Sequence, residues 1–494
     1  MALSPKSRIR CLLAGSALTL SLMAAPLSAD TIFTATSDGF QGMVRAGGAG
    51  MGAPVYPGSK AVISGDRLVP GQQITLMRGA TALNKDPIVA DEKGKFSFEL
   101  TVDDDAATGL QPIVVIAEKP AAATVTDLKI SPLIPVQGAE NFTVKSEPVS
   151  PGLYQVAYSA ASDAVFVASA VGRPPVKQSK LLKLNPETLE ILAEITPAEA
   201  PMPPRPEGAP PAPGNAPAGA PPAPGGGQGG PQGPGVYAVY GVAVDDANGT
   251  VWATNTRQNT VAVYKQSDLS LIKQFEPGSV THSRDVVVDA KNGRAYVSSV
   301  GGPGIAVFDT KSLEKLDAIK IQSGVRGEEF SAMALDLDAA AGKLVTVSMT
   351  TNEAAVIDLA SGEVKVLPLA AARGASGIAY DAKDDLLFVA SQQSDNLLIV
   401  KADTGETVAD VEVGAGPLNV AFEPVNRLAY VANRGSGTIT VVDTAGKIVA
   451  NLDAGTLPNQ LRADGKGDVF AVNKSRGEDD PNGDRLWRIA PVAK

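Results

Sequence analysis

Asn419-Val420-Ala421-Phe422, Ala429-Tyr430-Val431-Ala432, Ile439-Thr440-Val441-Val442-Asp443 and Ile448-Val449-Ala450-Asn451-Leu452 are four short apolar runs separated by polar turns. Their lengths and β-branched content predict four antiparallel strands of one sheet. The second run, closed by Asn433, has counterparts along the chain. Upstream stand Phe166-Val167-Ala168-Ser169, Trp252-Ala253-Thr254-Asn255, Tyr296-Val297-Ser298-Ser299, Val345-Thr346-Val347-Ser348 and Phe388-Val389-Ala390-Ser391; downstream stands Phe470-Ala471-Val472-Asn473. From Trp252 onward the spacing is roughly 40–49 residues, the period at which a chain builds one four-stranded propeller blade. A blade exposes two apolar faces and buries them only against neighbours, so the repeat implies a closed ring.

The last repeat supplies Gln460-Leu461-Arg462, Val469-Phe470-Ala471-Val472 and Arg485-Leu486-Trp487-Arg488-Ile489, and lacks a fourth strand. Asn141-Phe142-Thr143-Val144-Lys145 lies ahead of the first full repeat with nothing of its own to pair with. Strand exchange between the two ends would complete the last blade. The fold class expected is therefore all-β, a seven-bladed β-propeller over 141–494; a count of six or eight requires a miscounted repeat. Turns such as Asn248-Gly249, Asn292-Gly293 and Ser436-Gly437 carry residues suited to tight reversals. Within 197–235 the chain is saturated with Pro, Gly and Ala, a composition that buries no core and predicts a disordered surface insert. It is read as a neutral insertion or as a spacer toward cell wall or a proline-binding partner.

Upstream of the ring, residues 59–118 read as a small β unit. Val62-Ile63-Ser64, Ile74-Thr75-Leu76, Ile88-Val89-Ala90, Phe96-Ser97-Phe98-Glu99-Leu100 and Ile113-Val114-Val115-Ile116 are its strand signals, and the alternation of Phe96, Phe98 and Leu100 marks one buried face. An immunoglobulin-like β-sandwich is expected, without a Cys–Trp–Cys core. Residues 30–58 read as a flexible Gly-rich leader, and 119–140 as a linker with one strand signal at 124–130. The first 29 residues carry Lys6, Arg8 and Arg10, an apolar run from Cys11 to Ala25, and Pro26-Leu27-Ser28-Ala29. That pattern predicts a signal peptide cleaved after Ala29, hence a periplasmic protein, with secretion or surface display as alternatives and no membrane span after cleavage.

Cys11 is the single cysteine and His282 the single histidine of the chain. Cleavage would leave no disulfide, no thiolate nucleophile and no cysteine metal site; neither a metal nor a cofactor is expected. The formal net charge of −10, made more negative by loss of the three basic signal residues, opposes general attraction to DNA or anionic lipid.

Tyr430-Val431-Ala432-Asn433, with Gly437-Thr438-Ile439-Thr440-Val441-Val442-Asp443 and Lys447-Ile448-Val449-Ala450, resembles the YVTN-type propeller repeat. Tyr296-Val297 with Ile305-Ala306-Val307-Phe308-Asp309-Thr310 is a second copy and Phe388-Val389-Ala390 a third. The resemblance covers about residues 141–490 and is to the YncE-like group of exported bacterial proteins and to archaeal surface-layer propellers. It implies the fold and leaves the function open among adhesive or binding proteins, DNA-binding members, lactone hydrolases and redox-enzyme subunits. The β unit and the Pro-rich insert depart from a minimal YncE-like chain.

Propellers bind ligands where the inner strands begin, around the axis. Those positions give Tyr154, Gln155, Tyr237, Tyr240, His282, Arg284, Arg326, Glu328, Glu329, Arg373, Asn419, Asn459 and Gln460. Arg284, Arg326 and Arg373 would converge on one funnel against an acidic background and suit a carboxylate, a phosphate or nucleic-acid backbone. The plainer alternative pairs them with Glu328, Glu329 and Asp285 as salt bridges between blades. Asp309, Asp358, Asp403 and Asp443 read as turn caps, and Asp479-Asp480-Pro481-Asn482-Gly483-Asp484 as a fragment of a calcium loop lacking its distal glutamate.

Three functions are consistent with these residues. A non-enzymatic binding protein would present the funnel to an anionic ligand, a cell-envelope component or a protein. A lactonase-like hydrolase would use His282 or Glu329 to activate water. A nucleic-acid-binding propeller would need the funnel arginines as its basic patch.

Overall fold

The computed structural model describes residues 40–50, 52–201, 234–302 and 304–492. The signal-peptide expectation and most of the Pro-rich insert lie outside them. Among the described residues regular structure is β, apart from two three-residue 3₁₀ turns, and no helix is long and apolar enough to cross a membrane.

Seven four-stranded antiparallel sheets follow one another, here sheets 1 to 7: 153–195, 242–274, 283–320, 332–368, 375–412, 417–453 and 458–491. The four runs quoted first become Pro417–Glu423, Leu428–Asn433, Thr438–Asp443 and Ile448–Asp453, paired in that order. The first strand of each sheet packs on the first strand of the next, and that of sheet 7 on that of sheet 1, so the seven form a closed cycle. The strand exchange is present: Phe142–Pro148 is the outer strand of sheet 7, antiparallel to Arg485–Pro491.

The aromatic of the recurring motif explains why sheets stack. Trp252 is fully buried and meets Phe308 of the next sheet at 5.7 Å between ring centroids, with Phe275 between them. Phe388 stacks on Phe422 at 4.9 Å. Tyr430 takes the edge of Phe142 at 6.3 Å, so the exchanged strand also contributes to the core between sheets 6 and 7. Each buried aromatic is worth roughly 1.5–3 kcal/mol over exposure, and neither neighbouring sheet supplies that burial alone. Three of the four turn carboxylates, all but Asp403, cap as expected. Asp309 accepts from the N–H groups of Lys311 and Ser312, Asp358 from Ala360 and Ser361, and Asp443 from Ala445 and Lys447. Asp480 and Asp484 are likewise engaged by backbone N–H groups of Arg476, Asn482, Gly152 and Ser475.

The N-terminal unit has two sheets around one core. Met43–Gly48, Lys60–Asp66 and Phe96–Thr101 form one sheet; Thr81–Ala82, Gln73–Arg78, Gly109–Glu118 and Ala122–Ile130 form the other, with Ile88–Val89 on Gln73–Arg78. Its extent differs from the composition-based boundaries. Met43–Gly48, expected in the leader, is an edge strand: Val44 and Ala46 pack on the core while Gly47 and Gly48 mask the alternation. Ala122–Ile130, expected mostly as linker, pairs with Gly109–Glu118 throughout its length. This unit is pinned to the ring. Lys129 donates to the carboxylate of Asp395 at 2.7 Å and to the Gln392 carbonyl, and Thr108 donates to Glu412.

Candidate binding funnel at the ring axis

Six of the seven inner strands carry a register shift at their start, between Leu153 and Gln155, Ser283 and Val286, Ala332 and Leu335, Ala375 and Gly377, Pro417 and Asn419, and Pro458 and Gln460. A bulge leaves a residue out of the ladder and re-aims its side chain. Those residues, with Tyr240 ahead of the Val242 strand, are Tyr154, Tyr240, Arg284, Met333, Ser376, Leu418 and Asn459. All seven line a single cavity of about 580 Å³ on the axis.

In four of the seven sheets the next residue stitches the ring. Val242 donates its N–H to Gln155, Leu335 to Asp285, Leu461 to Asn419 and Val156 to Gln460, at 2.8–3.1 Å. Each bond crosses from one sheet to the next and satisfies a backbone donor that the bulge would orphan. Where the position is Gly377, an added Cβ would stand 2.7 Å from the Asn419 Cα, so close approach requires glycine there. Gln155, Asn419 and Gln460 therefore line the funnel while holding the ring shut. Asp285 accepts from Gln155 as well as Leu335, in place of the expected salt bridge.

A second tier comes from residues that follow the recurring Asn or Ser: Thr256 and Arg257 after Asn255, Met349 after Ser348, Gln392 after Ser391, and Arg434 after Asn433. Lys474, after Asn473, places its Nζ 3.3 Å from the ring centroid of Tyr154. Tyr154 and Tyr240 pack edge to face at 4.3 Å. Arg257 donates to the Tyr240 hydroxyl at 3.2 Å; Arg434 donates to the Asn459 side-chain oxygen at 2.5 Å, and the Asn459 amide donates to the Tyr154 carbonyl.

Arg257, Arg284 and Arg434 thus line one wall, Lys474 backs it through Tyr154, and among the described residues no carboxylate lies within ion-pair distance of any of the four. The cost of that crowding shows in the titrations. Burial, then repulsion from Arg434 and Arg257, pushes the Lys474 ammonium down to about 7, against partial relief from Asp484. Burial lowers Arg284 and Arg434 from the usual guanidinium value. Burial, then Arg284 and Arg257, lowers the His282 imidazole, leaving it neutral at pH 7. Burial raises the Tyr154 phenol to about 12, so it stays a neutral donor. Guanidiniums without an ion-pair partner beside tyrosine hydroxyls are donors of the kind that suit an anion, with Asp285, next to Arg284, the carboxylate in the lining.

The structure brings together Tyr154, Gln155, Tyr240, His282, Arg284, Asn419, Asn459 and Gln460 of the residues anticipated. Tyr237 is buried beside the root of the insert, its N–H on the Ala198 carbonyl, and does not line the cavity. Arg326, Glu328 and Glu329 are exposed outside the lining, ahead of the Ala332 strand. Arg373 turns back on the carbonyls of Ala370 and Ala372, leaving Gly374 to line the wall. His282 and Glu329 are therefore not presented together to the cavity. Arg257 and Arg434, which line the cavity where Arg326 and Arg373 do not, stand two and one residues past the recurring Asn, at the ends of second strands instead of the starts of first ones.

No family model matches the chain. The YncE protein of Salmonella typhimurium strain LT2 is 25% identical over 360 residues, 69% of this chain and 89% of that protein. YncE of Salmonella typhi is 24% identical over the same shares. Among solved structures, U3-55K aligns with a TM-score of 0.53 at 10% identity over 72% of this chain and 99% of that one. Kuenenia stuttgartiensis hydrazine synthase gives 0.51 at 15% identity, over 69% and 96%. A streptogramin B lyase gives 0.50 at 13%, over 72% and 100%. These structural likenesses speak to the fold alone.

Proposed function

We propose that this chain, a YncE-like β-propeller, is an exported, non-enzymatic protein that binds an anionic ligand in its axial funnel. We read the cycle of sheets as a seven-bladed propeller, the N-terminal unit as an immunoglobulin-like sandwich, and the first 29 residues as a signal peptide for the periplasm. The observation that carries the reading is the convergence of Arg257, Arg284 and Arg434 on the cavity, backed by Lys474 on Tyr154, with no carboxylate in ion-pair reach among the described residues. Four like charges around one concavity cost stability, and an incoming anion relieves that cost. Hydrolysis has less support, because His282 reaches the cavity and Glu329 does not. Titration of inorganic phosphate into the mature protein should raise its Tm, since a ligand of the native state stabilises it. The rise should vanish in Arg284→Gln with Arg434→Gln; an unchanged rise in that variant overturns the assignment of the site.

A further inference from the structure

The cationic residues occupy a continuous arc of the funnel, and the remaining arc has a different chemistry. Going round the ring, sheets 6, 1, 2 and 3 supply three lining arginines and two tyrosines, and Lys474 of sheet 7 stands behind the arc on the Tyr154 ring. Sheets 4 and 5, facing them across the axis, contribute Met333, Met349, Ser376 and the amides Gln392 and Gln393, and bring no charge. Leu418 marks the boundary between the arcs. Met349 is 38% exposed, an apolar side chain kept in contact with water at the mouth. Thioether side chains are flexible and polarisable and conform to irregular apolar shapes. A volume near 580 Å³ exceeds the needs of a bare phosphate or carboxylate and matches a drug-sized molecule.

From this division, and resting on the anion reading above, we infer that the ligand is an amphipathic anion. Its single carboxylate or phosphate head would sit on the arginine arc, and its apolar body would lie against Met333, Met349 and Leu418. A small inorganic anion would leave the methionine wall wet; a neutral amphiphile would leave the guanidiniums unpaired. Only a molecule with both parts satisfies both arcs, and the two must be a few bonds apart to span the axis.

Isothermal titration of the mature full-length protein with n-octyl phosphate, inorganic phosphate and octyl glucoside tests this. Octyl phosphate is expected to bind at least about tenfold more tightly than phosphate, since each buried methylene adds to affinity. Met349→Gln should weaken octyl phosphate several-fold and leave phosphate unchanged, and Met349→Leu should restore it; the exposed position makes both variants safe for folding. Arg284→Gln should weaken both anions. Equal affinity for the two anions, or octyl phosphate binding indifferent to Met349→Gln, overturns the amphipathic inference while the anion site stands. Failure of both anions to bind, or octyl glucoside binding as tightly as octyl phosphate, overturns the anion reading itself.

Discussion

Lys474 is the residue whose charge the ring tolerates least. The Tyr154 face beside its ammonium favours the cation, but burial and two guanidiniums outweigh it and set its proton loss near 7 instead of the ordinary 10.5. The unfolded chain keeps that proton up to the ordinary lysine value, so between these limits it binds more protons than the native state. Native stability therefore rises with pH across that window, and the penalty is complete below it. Lys474→Met should raise Tm by about 2 °C or more at pH 6 and by less at pH 9.5; an equal change at both would show that the lysine is not held against its charge. An anion restores the charge, so its binding takes up a proton and its affinity should fall as pH rises above about 7. Calorimetry in buffers of different ionisation enthalpy reads that uptake. Arg284→Ala or Arg434→Ala should each cost roughly 10- to 100-fold in anion affinity, the worth of one charge-assisted hydrogen bond. Arg326→Ala and Arg373→Ala should cost nothing measurable.

The elements were legible in unequal measure. Strand cores such as Tyr430-Val431-Ala432-Asn433 announce themselves because both faces of the second strand of a sheet are buried, which leaves an uninterrupted apolar run. The ring-closing strand Phe142–Pro148 was legible because the last repeat is one strand short. Bulges were not, since a bulge shifts register without changing composition; this is why Arg373, two residues before the Ala375 strand, looked equivalent to Arg284. Edge strands such as Met43–Gly48 bury little, and their signal is faint. The stitching side chains make a prediction at this scale. Gln460→Ala removes the acceptor of the buried Val156 N–H across the seam between sheets 7 and 1, and should destabilise the protein by about 1–3 kcal/mol in a urea titration. A loss below ~0.5 kcal/mol would mean the seam does not depend on it. At the root of the insert, Glu199 bridges to Val236, Ala200 donates to the Gly235 carbonyl and Tyr237 to that of Ala198. The two ends are thus already joined, and replacing 202–233 by a short Gly-Ser turn should leave Tm almost unchanged. A loss of several degrees would give the insert a structural role.

At the scale of the whole molecule, the N-terminal unit and the funnel meet on one turn. Lys129 holds Asp395, of which only 3% of the side chain is exposed, and the carbonyl of Gln392, whose side chain lines the cavity. Lys129→Met leaves a buried carboxylate short of its cation, a change that costs up to about 3–5 kcal/mol where the pair is fully buried and less here, where the lysine is partly exposed. It should open residues 131–141 to limited proteolysis before the ring itself unfolds; wild-type resistance would show that the contact with Asp395 does not hold the two units together. The central claim, that the axis of the ring is an anion site built from sheets 1, 2, 3, 6 and 7, is tested most directly by locating an anion. Crystals of the mature protein soaked in bromide or selenate give an anomalous map. The account predicts the strongest peak within hydrogen-bond reach of Arg284 and Arg434, lost in Arg284→Gln with Arg434→Gln; an empty funnel with peaks confined to outer residues such as Arg326 or Arg373 would contradict it.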